Sequence, residues 1–81
     1  MEAEEIKRLI EAGLPECEAR VSGDGTHFEA IVISPAFAGK SLVEQHRLVY
    51  DTLGDRMSGA IHALSIRPFT PEDWARSGQN T

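Results

Sequence analysis

The chain has 81 residues, 41% of them hydrophobic and 26% charged, which is ordinary globular composition with room for one small core and none for a nucleotide-hydrolysing domain. Its net charge is −5, from 13 acidic and 8 basic residues, and the basic ones are scattered from Lys7 to Arg76, which argues against a surface built for nucleic-acid phosphates. A single cysteine, Cys17, excludes an internal disulfide, and no apolar run approaches the roughly 20 residues of a membrane span.

The N-terminus, MEAEEIKRLI, is acidic and reads as neither a signal peptide nor a transit peptide. A soluble cytoplasmic protein is expected, with one domain over residues 1–76 and a flexible tail over 77–81. Ile6, Leu9, Ile10 and Leu14 follow helical spacing, and Glu2, Glu4 and Glu5 suit the positive end of a helix dipole. The first helix is predicted from about Glu2 to Ala12, with Gly13 as its stop. Cys17, Ala19 and Val21 alternate with Glu18 and Arg20, as in a strand with one buried face. Asp24-Gly25 marks a hairpin turn, and a second strand is predicted over His27–Ser34. That strand is apolar at nearly every position beyond Glu29, so it is placed centrally and covered on much of both faces.

Ser34-Pro35 starts a short helical turn that Gly39 ends. Ser41 and Glu44 form an S-x-x-E capping box. From there Leu42, Val43, His46, Val49, Tyr50 and Leu53 are assigned to one helix face, with the helix ending near Gly54 or Met57. A third strand is predicted from about Ala60 to Arg67. Thr70-Pro71-Glu72-Asp73 starts a last short helix, whose Trp74 is expected to dock on the core.

The stretch SPAFAGKS, Ser34 to Ser41, resembles a phosphate-binding loop. The match fails at its first position, where Ser34 stands for glycine, and Pro35 has no N–H to offer a phosphate. Gly39 closing one turn and Ser41 capping the next helix account for the same residues.

Candidate chemistry lies with the three histidines. His46 shares the apolar face of the long helix and is expected to be packed and hydrogen-bonded. His27 opens the second strand and His62 the third. The crossover between those strands is long enough to make them parallel if they are neighbours. Both imidazoles would then stand at one sheet edge, beside the 22–26 loop. Two histidines cannot close a tetrahedral metal site alone, so such a site would be completed by water, a cofactor or a partner. The alternative is that one histidine caps the hairpin and the other packs at a strand start. No catalytic constellation is evident, and Cys17, on the buried face of the first strand, reads as a small apolar filler.

GDGTHFEAIVISPAFAGKSLVEQHRLVYDTLGDRM, followed by IHALSIRPFTPEDWA, closely resembles the BolA family, and within it the IbaG/YrbA-like branch of small bacterial members. The resemblance spans nearly the whole chain. It implies an α+β fold of order α-β-β-α-α-β-α, similar to class II KH domains, with a three-stranded mixed sheet and helices packed on one face. It also implies a non-enzymatic partner of monothiol glutaredoxin. In that family a [2Fe–2S] cluster is shared across a heterodimer, with glutathione supplying a further thiolate, and the isolated protein is a monomer with no cluster of its own. By the same resemblance His62, in Ile61-His62-Ala63-Leu64, is the C-terminal histidine ligand. His27 is the candidate second ligand from the hairpin, although it does not stand where the cysteine-type branch has its cysteine. The family is also described as transcriptional regulators. A nucleic-acid role would use the helix-turn-helix-like segment 35–53, with Lys40, Arg47 and Arg67. The turn Phe37-Ala38-Gly39-Lys40 has only one of the two glycines of a KH clamp.

Overall fold

The computed structural model describes residues 2–58 and 63–78. The order is α1 (Ala3–Gly13), β1 (Glu18–Gly23), β2 (His27–Ile33), a 3-10 turn (Pro35–Phe37), α2 (Leu42–Leu53), a second 3-10 turn (Gly54–Ser58), β3 (Ala63–Phe69) and α3 (Pro71–Ser77). The predicted pair of central helices is therefore one 3-10 turn and one helix. The predicted opening of the third strand, Ala60 to His62, and the end of the tail lie outside the described residues; β3 continues two residues past Arg67. Among the described residues no helix is long and apolar enough to cross a membrane.

The sheet order is β1-β2-β3. β1 runs antiparallel to β2, and β2 runs parallel to β3, as the long crossover requires. The fold is thus α+β with a mixed three-stranded sheet. Ile6 and Ile10 of α1 and Val49 and Leu53 of α2 meet Ala19, Phe28, Ala30, Val32 and Ile66 of the sheet in one core. Glu29 is exposed and Ile31 half-buried, so β2 is enclosed on both sides only toward its end, where Val32 and Ile33 are both buried. The short α3 packs by Trp74, buried against Phe69 with ring centroids 5.2 Å apart.

Gly13 is not a left-handed stop. It is the last residue of α1, and the cap falls on Leu14 in extended backbone. A Cβ at position 13 would lie 2.5 Å from Cγ2 and 2.8 Å from Cβ of Thr52, so glycine is there to let α1 approach α2. The apolar face of α2 also divides. Val49 and Leu53 are buried, while Leu42 and Val43 are 64% and 66% exposed and Tyr50 is exposed as well. The inward side is completed instead by half-buried Gln45, Leu48 and Thr52.

SPAFAGKS has the cap-and-turn structure. Ser34 is fully buried, donating its hydroxyl to the Pro15 carbonyl at 2.8 Å and accepting from the Ala36 N–H at 3.2 Å. Gly39 has φ +74°. Ser41 Oγ accepts from the Glu44 N–H, and Glu44 accepts from the Ser41 N–H, closing the box predicted for α2.

Candidate metal-ligand edge

The β1–β2 loop is built around one carboxylate. Asp24 Oδ1 accepts from the His27 N–H at 3.0 Å, the Thr26 N–H at 3.0 Å and the Thr26 hydroxyl at 2.9 Å. The Asp24 N–H in turn donates to the His27 carbonyl at 3.2 Å. These donors, His27 N–H first and then Thr26, hold the Asp24 carboxyl well below the usual carboxylate range. Gly25 turns the chain at φ +101°. Gly23 lies so close to the returning strand that a Cβ there would stand 2.3 Å from the His27 carbonyl oxygen. The loop is thus fixed by local chemistry before any partner arrives.

That network orients His27. Its Nδ1 lies 3.2 Å from Thr26 Oγ1. The Thr26 proton is committed to the shorter, charge-assisted bond to Asp24, so Oγ1 is an acceptor toward the ring. The hydrogen-bond network therefore assigns the proton to Nδ1 and leaves the lone pair of this exposed ring on Nε2. An outer hydrogen bond that fixes the tautomer is the usual support for a metal-ligating imidazole.

In the parallel ladder His27 stands opposite Ala63. The start of β2 and the start of β3 therefore share one sheet edge, as the parallel pairing predicted. His62 itself lies outside the described residues. Among the described residues no three His, Cys, Asp or Glu side chains gather as a metal-binding group.

The other candidates fall in different places. Cys17 is half-buried at the entry to β1, and burial, with the Glu11 carboxylate, pushes its thiol up to about 11, the opposite of an activated thiolate. His46 is not packed in the core. It lies half-buried with Nδ1 2.9 Å from the Leu42 carbonyl oxygen, in the outer groove formed by Leu42, Val43, Arg47 and Tyr50. Lys40 is exposed in the turn before α2, Arg47 lines that outer groove, and Arg67 lines a different concavity on the sheet. Sequence reasoning missed Asp24 and Thr26 as the residues that hold His27. The signal was the D-x-T-H spacing itself, a side chain able to accept from residues two and three further on.

The chain matches the BolA-like protein family model over residues 10–73. It is 40% identical over 77 residues to the acid stress protein IbaG of Escherichia coli K12, covering 94% of this chain and 92% of that one. It is 41% identical over 59 residues to the DNA-binding transcriptional regulator BolA of Vibrio cholerae, covering 73% of this chain and 56% of the relative. The solved structure of a BolA homologue from Coxiella burnetii superposes with a TM-score of 0.86 at 44% identity, covering 94% of this chain and 99% of that one. With the family model spanning most of the chain, and with relatives matched nearly end to end in sequence and in fold, the protein belongs to the BolA-like family.

Proposed function

We propose that the protein is a non-enzymatic cytoplasmic adaptor that co-ligates a [2Fe–2S] cluster with a monothiol glutaredoxin, serving cluster trafficking or iron and stress regulation. The observation that carries this reading is the exposed His27, with its Nδ1 3.2 Å from Thr26 Oγ1, at the shared start of β2 and β3. His62 is the second ligand that the family resemblance assigns. The glutaredoxin and glutathione supply the thiolates. Imidazole at one iron raises the cluster's potential and makes its retention sensitive to acid, since only the neutral ring coordinates.

The test is anaerobic mixing with a monothiol glutaredoxin, iron, sulfide and glutathione, followed by absorption and circular dichroism. His62→Ala is expected to abolish the heterodimer spectrum or convert it to that of a glutaredoxin homodimer. His27→Ala is expected to weaken or shift it. His46→Ala is expected to leave the cluster spectrum intact. Loss of the signal in His46→Ala with retention in His62→Ala would overturn the site assignment.

The name of the Vibrio relative favours a second reading, a nucleic-acid-binding regulator acting through residues 35–53. Against it, the first helical piece of that segment is a single 3-10 turn, and Arg47 and Arg67 line separate concavities. Electrophoretic mobility shift at several salt concentrations, with Lys40→Gln and Arg47→Gln, tests that reading.

A further inference from the structure

Alternation along the strands sends Ala19, Ala30, Val32 and Ile66 into the core and turns Arg20, Ile33 and Phe69 to the opposite face of the sheet. α1 and α2 cover the inner face. α3 reaches the outer one, and does so by one side chain. Trp74 is buried, whereas every other residue from Pro71 to Gly78 is exposed. Its ring meets Phe69 edge-on with centroids 5.2 Å apart, and the Arg20 guanidinium lies 5.0 Å from the ring centre. Glu18 holds Arg20 in turn, accepting from its Nε–H at 2.8 Å. Ile33, opposite Phe69 in the ladder, is buried as well, yet neither Ile33 nor Trp74 belongs to the main core cluster. The seat of α3 is therefore a small apolar patch of its own, separated from the core by the sheet.

We infer that α3 is a latch, opening and closing over the outer face while the core stays folded, with Arg20 as its catch. Seven residues are too few to keep a helix in water without a docked face, so α3 is a helix only while Trp74 is seated and melts when it leaves. The joint is Thr70. Its backbone is extended, and its hydroxyl accepts from the Asp73 N–H, so α3 is started by its own cap after β3 has ended. Opening uncovers Trp74 and its small seat and leaves α1, α2 and the inner sheet face in contact, so it exposes far less surface than unfolding does. Simple fraying would be indifferent to β1. Here the stacking guanidinium comes from β1, at the sheet edge opposite β3, so the closed helix is tied to both edges and spans the central strand. The open form bares Ile33 and Phe69 and releases Arg20. The device is independent of the iron–sulfur reading and needs no cluster.

The experiment is native-state hydrogen exchange of the ¹⁵N-labelled, metal-free protein, followed by NMR across urea concentrations below the unfolding transition. The amides of residues 74–77 are expected to be protected, yet to exchange about tenfold or more faster than those of Val32 and Ile66. Their rates are expected to change little with urea, while the Val32 and Ile66 rates climb with it. Arg20→Gln is expected to speed exchange at residues 74–77 about two- to fivefold, the scale of one exposed cation–π contact. Trp74→Ala is expected to strip protection from the rest of α3 and leave Val32 and Ile66 protected. Four results would each overturn the proposal: α3 amides that follow urea in step with the core, α3 amides without protection in the parent, rates unmoved by Arg20→Gln, or a Trp74→Ala protein that is unfolded throughout. The urea series on the unaltered protein is decisive whatever the variants do.

Discussion

Thr26 decides which nitrogen of His27 faces outward. Its single proton goes to Asp24, so it can only accept from the ring. Removing the Asp24 carboxylate frees that hydroxyl to donate to Nδ1, and the ring proton then moves to Nε2, closing the lone pair to metal. Asp24→Ala and Thr26→Val are therefore expected to lose the Nδ1–H tautomer, read from the imidazole ¹⁵N shifts of the metal-free protein. An unchanged tautomer in Asp24→Ala would show that Thr26 does not relay the charge. The histidines are legible in the sequence as candidates because imidazole is rare in this chain and His27 opens a strand. The relay is not, because it rests on hydrogen bonds that form only once Gly25 has turned the backbone.

Elements are most legible where a local signal coincides with a stop. The capping box of α2, the Asp24-Gly25 turn and Thr70 before α3 all stand where their side-chain chemistry demands. Ser41→Ala is expected to cost about 1 kcal/mol, the usual loss for an N-cap, read from urea unfolding, with no saturable nucleotide binding by calorimetry in parent or variant. Gly13 misleads in sequence because its role is tertiary. Alanine normally gains about 1 kcal/mol over glycine inside a helix. Here the new methyl meets both Cβ and Cγ2 of Thr52, which rotation about the side chain cannot clear together. Overpacking of about 1–3 kcal/mol offsets that gain, so Gly13→Ala is expected to be net destabilising by up to about 2 kcal/mol, read from the same unfolding curves. The outward face of α2 misleads for a related reason. Apolar spacing marks a stripe, but which part of the stripe meets the core depends on how the helix is rotated against α1 and the sheet, and that contact is not local.

At the scale of the molecule, a few carboxylates tie elements together. Glu11 of α1 accepts from the Ala19 N–H of β1 at 3.0 Å and from Lys7 Nζ at 2.6 Å, and these bonds hold its carboxyl below the ordinary value. Asp24 and Glu44 are lowered as well, by the His27 N–H and the Ser41 N–H first. A carboxyl depressed in the folded state contributes stability that is fully present above its unfolded pKa, about 4, and is lost as pH falls through the folded one. Stability is therefore expected to be level near neutrality and to fall below about pH 4, with Glu11→Gln less stable than the parent near neutral pH and closer to it in acid, measured by urea midpoints. The mixed sheet has a consequence in time. The β1–β2 hairpin is local and forms in about 1–10 μs, whereas β3 is synthesised only after the whole crossover, at about 5–20 residues per second. On the ribosome the hairpin with its His27 loop waits for seconds without its parallel neighbour. The edge at which β2 and β3 begin together forms only after β3 has been made, so whatever docks on both strand starts meets them later than it could meet the hairpin.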